Sequence, residues 1–185
     1  MKELSLHLLD VAKNSVTAGA RHVEITLTED EAGWLTIAIT DDGCGMSPEF
    51  LAQVTDPFTT TRTTRKVGLG LPLYRLAAEQ TGGSLDIRSE AGKGTAVTAR
   101  FLRRHLDCPP LGDLAGTIAL LIQGSPDMEL TYRHTTPNGR LELSTAELRE
   151  ILGDDISLAE PEIFAWIQDY LTEQEEQAAV DPAPL

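Results

Sequence analysis

Residues 7–46 read HLLDVAKNSVTAGARHVEITLTEDEAGWLTIAITDDGCGM, and the spacing of their apolar positions changes twice along the way. Together with Leu4 just upstream, Leu8, Val11 and Ala12 fall three or four residues apart, with Gly19 beyond them. This spacing predicts an amphipathic helix from Glu3 to Ala18 closed by a glycine. From His22 to Leu27 the pattern becomes alternation, and after the acidic turn of Glu29, Asp30, Glu31 and Gly33 it alternates again from Trp34 to Thr40. β-Branched residues at period two on either side of a turn predict an antiparallel hairpin. Asp41-Asp42-Gly43-Cys44-Gly45 then breaks the alternation.

Working outward, Ser47-Pro48-Glu49 joins a polar cap to a first-turn proline and predicts a short helix to about Val54. Thr55 to Gly70 is rich in threonine and has no sustained period, so a long functional loop is expected there. Leu71 to Thr81 is helical, with Pro72 in the first turn and Gly82-Gly83 at the end. Two strands follow, Ser84 to Ser89 and Thr95 to Leu102, joined by the turn Glu90-Ala91-Gly92-Lys93-Gly94. Helix, hairpin, loops, helix and hairpin in this order point to an α+β two-layer sandwich, a mixed sheet with helices on one face.

Asp107-Cys108-Pro109-Pro110 marks a seam, which places the first unit at residues 1–106. Beyond it the apolar runs Thr117 to Ile122, Glu129 to Tyr132 and Arg140 to Leu143 are separated by turn residues, and two or three strands are expected. Ser144-Thr145-Ala146-Glu147 opens a helix to about Leu152, and Pro161 opens another to about Glu173. Residues 107–176 are thus expected to form a small α/β extension, with 177–185 a flexible acidic tail.

The 185-residue chain is 41% hydrophobic and 24% charged, the composition of a globular protein, and has no apolar stretch of membrane-spanning length. Its N-terminus lacks the features of a secretory signal, so a soluble protein of the cytoplasm is expected. A net charge of −14 disfavours direct binding to nucleic acid or anionic lipid. Cys44 and Cys108 have no metal-ligand spacing and read as reduced thiols.

Several short stretches carry chemistry. Asp10 and Asn14 are one helical turn apart, with His7 three before Asp10, and the three are expected on one side of the helix. A carboxylate and an amide oxygen together suit a hard cation such as Mg²⁺, or a water beside a phosphate. Asp41 ends a strand, where a carboxylate held rigidly can accept a hydrogen bond from an exocyclic amine, and Gly43 and Gly45 let the backbone approach a flat ligand. Gly68-Leu69-Gly70-Leu71 sets glycines at a helix N-terminus, whose unpaired N–H groups favour phosphate oxygens. Just upstream, Arg62, Arg65 and Lys66 form the tightest basic cluster of an acidic chain.

Taken in order, Asp10 with Asn14, Asp41 to Gly45, Asp56-Pro57-Phe58-Thr59-Thr60-Thr61-Arg62, Gly68 to Leu71 and Gly92-Lys93-Gly94-Thr95 resemble the five motif boxes of the GHKL superfamily of ATPases and histidine kinases. The stretch Asn14 to Ala20 resembles the MutL and gyrase B branch, and Phe58 to Phe101 the catalytic domain of histidine kinases. The resemblance covers residues ~4 to 101 and implies a Bergerat-type sandwich that binds ATP with Mg²⁺. It implies Asn14 and Asp10 at the metal, Asp41 on the adenine amine, Gly43, Gly45 and Met46 around the base, and Thr95 supporting the adenine contact. It further implies Gly68, Leu69, Gly70 and Leu71 at the phosphates, with Phe58, Thr60, Thr61, Arg62 and Lys66 on or beside a lid from Thr59 to Val67.

Asp10 departs from the pattern. The MutL and gyrase-like branch has a Glu there to activate water, whereas histidine kinases commonly have an Asn, so a shorter acid implies slow hydrolysis. The leading expectation is a slow Mg²⁺-dependent ATPase that binds ATP and ADP and signals to a protein partner, with a homodimer as one arrangement. The alternatives are a serine/threonine kinase acting in trans, like anti-sigma kinases, and a noncatalytic ATP-dependent module.

Overall fold

The computed structural model describes residues 3–55, 70–153 and 155–179. In chain order these form α1 (Leu4–Thr17), β1 (His22–Glu29), β2 (Trp34–Asp41), α2 (Pro48–Thr55), α3 (Gly70–Gln80), β3 (Ser84–Glu90) and β4 (Gly94–Leu102). They continue as α4 (Leu114–Gly124), β5 (Glu129–Thr136), β6 (Gly139–Ser144), α5 (Thr145–Leu152) and α6 (Pro161–Ala178). The strands make one sheet in the order β3-β4-β2-β1-β5-β6. β1 and β5 run parallel and every other pair is antiparallel, so the sheet is mixed, as expected.

Alternation sends every second residue to one face, and register aligns these residues into rows. Ile87, Val97, Ile39, Ile25, Tyr132 and Leu143 form one such row across all six strands. All six are buried under the helices. The next row reads Leu85, Ala99, Ile37, Leu27, His134 and Leu141, apolar except for one histidine. The opposite face carries Glu24, Thr26, Thr36, Arg100 and Arg133, and there Arg100 lies 4.6 Å over the ring of Trp34.

Of the three apolar runs in which two or three strands are expected, two are β5 and β6, and Thr117 to Ile122 is the middle of α4. Asp113 caps this helix by accepting from the Gly116 N–H at 2.7 Å, and α4 packs against both α1 and α6. Nearly every residue from Leu114 to Ile122 is apolar, including the exposed Leu120, so a helix buried on most of its sides shows no polar stripe to betray its period. The chain leading into α4 also serves α1: the carbonyls of Pro110 and Leu111 accept from the N–H groups of Leu4 and Ser5. The helix from Pro161 runs to Ala178, past the expected end near Glu173; Ala178 is buried and its carbonyl accepts from Thr136 Oγ1 at 2.7 Å. No helix among the described residues is long and apolar enough to cross a membrane.

Candidate functional site

The inward rows of the sheet change character at one end. Two residues along from Ile87, Val97 and Ile39 stand Ser89, Thr95 and Asp41, in register and on the same face. The apolar row therefore gives way to hydroxyls and a carboxylate where the sheet meets α1. Asp41 accepts from Ser15 Oγ on α1 at 2.6 Å and from the Gly43 N–H at 2.9 Å. A carboxylate offers about four acceptor positions, so Asp41 is oriented by two bonds and retains capacity for a ligand. Ser89 Oγ lies 2.9 Å from Thr95 Oγ1 and accepts from the Met46 N–H at 2.9 Å, which pins the loop after β2 to the β3–β4 hairpin.

Two glycines make that approach possible. Gly45 has φ +64°, and a Cβ there would stand 2.0 Å from the Glu90 carbonyl oxygen. Gly94 has φ +114°, and a Cβ there would stand 1.9 Å from the Asp41 carbonyl oxygen. Either side chain would push the hairpin off the loop that carries Asp41.

Between these parts lies a cleft of about 260 Å³. Asn14, Asp41, Gly45, Met46, Leu71 and Thr95 line it, six of the residues expected at a site. Val11, Val54 and Val97 add apolar wall. Gly43 stands behind Asp41 as its donor. Asp10 does not line the cleft; like Asn14 it is exposed on α1, one turn before it. A carbon placed on Gly70, the first residue of α3, would be 3.4 Å from Asp10 Oδ2, so the N-terminus of α3 faces this carboxylate. Phe58, Thr60, Thr61, Arg62, Lys66, Gly68 and Leu69, with the expected lid from Thr59 to Val67, lie outside the described residues.

His7 does not join Asp10 and Asn14. It follows Leu4 by three residues and precedes Val11 by four, so the helical period turns it into the apolar stripe. There it is 1% exposed and stacks on Tyr74 of α3, ring centroids 5.1 Å apart. Burial lowers its pKa to about 4, which leaves it neutral near pH 7. Ser15 and Ser89 are the contributors that sequence reasoning passed over. Both break a buried pattern: Ser15 follows Val11 by one turn, and Ser89 follows Leu85 and Ile87 at period two.

Residues 2–105 match the family model described as histidine kinase-, DNA gyrase B-, and HSP90-like ATPase. The chain belongs to this ATPase family. Among curated proteins, this family member is 37% identical over 106 residues to sensor protein SrrB of Staphylococcus aureus (strain NCTC 8325 / PS 47). That match covers 55% of this chain and only 18% of SrrB. Among solved structures it is similar to the N-terminal domain of a DNA repair protein, with a TM-score of 0.55 and 16% identity over 78% of this chain and 53% of that one. It is also similar to the Aquifex aeolicus MutL ATPase domain complexed with ADP, with a TM-score of 0.52 and 18% identity over 82% of this chain and 68% of that one. Both structural similarities cover more of the chain than residues 2–105, so the fold shared with these two structures takes in part of the segment after β4.

Proposed function

We propose that this chain binds ATP with Mg²⁺ in the cleft beneath α1 and hydrolyses it slowly, with Asp10 as the base. The observation that carries this reading is Asp41, an inward carboxylate at the floor of an apolar slot, oriented by Ser15 and Gly43 with acceptor capacity to spare. This donor set fits adenine: a planar base needs apolar walls on its faces and an acceptor for its exocyclic amine, and a carboxylate with free lone pairs supplies the latter.

The phosphate end fits as well. Mg²⁺ bound to a nucleotide keeps several waters and takes only one or two protein oxygens; the Asn14 amide oxygen, on the exposed side of α1, would supply one and leave Asp10, one turn away, to act as the base. Bound there, the cation would neutralise phosphate charge. The N-terminus of α3 opposite Asp10 supplies backbone N–H groups and the positive end of a helix dipole. In this arrangement Asp10 Oδ would accept a proton from a water as that water attacks the terminal phosphorus and the bond to the leaving diphosphate breaks, and Asn14, which cannot take that proton, would hold the cation.

The test is calorimetric titration with ATP and Mg²⁺ followed by a phosphate-release assay on the same sample. Asp10→Asn is expected to lower turnover by about 10²- to 10⁴-fold while leaving ATP affinity within about twofold. Asp10→Glu, which restores the longer reach, is expected to keep turnover. Undiminished release by Asp10→Asn removes Asp10 as the base, and absence of ATP binding removes the reading altogether.

A further inference from the structure

The outer side of α6 presents a surface that the nucleotide site does not use. The helix turns Ile167 and Leu171 fully inward, with Ile163 and Phe164 packed against the core. Trp166 points the other way and is 52% exposed. It is fixed there by stacking on Tyr170, with ring centroids 5.4 Å apart and planes 8° from parallel. Helical spacing places Glu162 one turn before Trp166, and Asp169 and Glu173 at i+3 and i+7, so the aromatic pair is bordered by carboxylates on one face. All three are exposed and form no ion pair or side-chain hydrogen bond among the described residues. No Lys or Arg follows Arg149 in the sequence, so the C-terminal part of the chain supplies no cation to them.

We propose that this face docks a basic, amphipathic segment of another protein. Its Arg or Lys side chains meet Glu162, Asp169 and Glu173, and one of its apolar or guanidinium groups covers the Trp166 ring. Charge selects this occupant. An exposed aromatic framed by carboxylates that have no partner among the described residues attracts cations through both the ring quadrupole and the acids, and the planar guanidinium suits both at once. A second copy paired through the same face would bring like charges together, because a two-fold interface presents identical patches to each other. An anionic membrane meets the same repulsion. Trp is also the residue type most enriched among those that dominate interface energetics.

The experiment uses the full chain without nucleotide, so that its failure is separate from failure of the ATP reading. A fluorescently labelled amphipathic Leu/Arg peptide is titrated with the protein by anisotropy, alongside an isomer in which Glu replaces Arg. The Arg peptide is expected to bind with a Kd on the order of micromolar, weakening as salt rises, and the Glu isomer is expected not to bind. Trp166→Ala and the combined Glu162→Gln, Asp169→Asn and Glu173→Gln variant are each expected to weaken binding at least about tenfold. These changes lie at exposed positions, and an unchanged thermal midpoint confirms that the variants remain folded. No binding of the Arg peptide overturns the proposal. So does binding that Trp166→Ala leaves intact, because that is diffuse attraction to an acidic chain. Trp166-dependent self-association in sedimentation assigns the face to a second copy and overturns it too.

Discussion

Asp41 and Asp42 are chemically identical neighbours, and strand parity gives them different work. Asp41 shares the inward phase of Ile37 and Ile39 and lines the cleft. Asp42 faces out, where its Oδ1 accepts from the backbone N–H groups of Arg21 and His22 and its Oδ2 pairs with His22 Nδ1 at 2.6 Å. Those bonds, chiefly from the His22 backbone and side chain, lower its pKa to about 2. Asp41→Ala is therefore expected to weaken ATP binding by about 1.5 to 3 kcal/mol, the size of a charge-assisted hydrogen bond, and to erase preference for ATP over GTP. Asp42→Ala is expected to leave both unchanged, and comparing the two variants by titration calorimetry checks the assignment. Asp41, Gly43 and Gly45 were legible in the sequence because acid and glycines interrupt a strand together. Ser15 and Ser89 were not, since a serine carries no signal until the phase of its helix or strand is known.

At the scale of elements, the legible ones kept a one-sided environment. α1 and β1 to β4 each bury one face, so their periods survive in the sequence, whereas α4 sits between α1 and α6 and loses its own. α6 has a different hidden feature, a polar clasp that holds it to the sheet. His134, the histidine in the apolar row, lies with its Nδ1 2.7 Å from Glu175 of α6 and its Nε2 3.3 Å from Glu29 of β1. Tyr132 donates to the other Glu175 oxygen at 2.5 Å, Arg103 stands 3.5 Å from Glu29, and Asp113 and Glu176 line the adjoining hollow. Burial alone would lower the His134 pKa, but the hydrogen bonds and charges of Glu175 and Glu29 outweigh it and raise the value to about 9. Burial likewise opposes ionisation of Glu29, and its bonds to His134 and Arg103 outweigh that to hold its pKa below the ordinary 4.5. The raised histidine contributes stability that is complete below its ordinary pKa of 6.5 and lost as pH climbs through about 9. The lowered glutamate contributes above its ordinary value and loses that contribution as pH falls. The clasp is thus expected to be fully engaged between pH 4.5 and 6.5 and to loosen toward pH 9. Thermal midpoints should fall over the alkaline part of that range by about 2–4 °C per kcal/mol lost, with faster amide exchange in α6. His134→Gln and Glu175→Gln should each flatten the slope, whatever their absolute stability.

For the whole molecule, the question is whether nucleotide reaches the C-terminal elements. The seam at Pro109-Pro110 suggests two units in sequence, but β5 pairs with β1 along seven residue partners, and buried residues from α1 to α6 form one core. His22 adds a surface link: beside Asp42 it bonds Glu129, the first residue of β5, through Nε2 at 2.9 Å. Removing β5 from β1 would expose the apolar row through Ile25 and Tyr132, so the cleft and α6 are expected to unfold in one transition. Ligand that binds only the folded chain then stabilises all of it: at about 100 times the Kd, ATP adds about 2.7 kcal/mol. For a chain of this size that should raise the thermal midpoint by about 5–10 °C. The decisive readout is hydrogen exchange. If the chain opens as one unit, the slowest amides of β5 and α6 should gain the same protection from ATP as those of β1 and β2. Protection confined to residues before Pro109 would mean that the C-terminal elements open independently of the strands that carry the cleft.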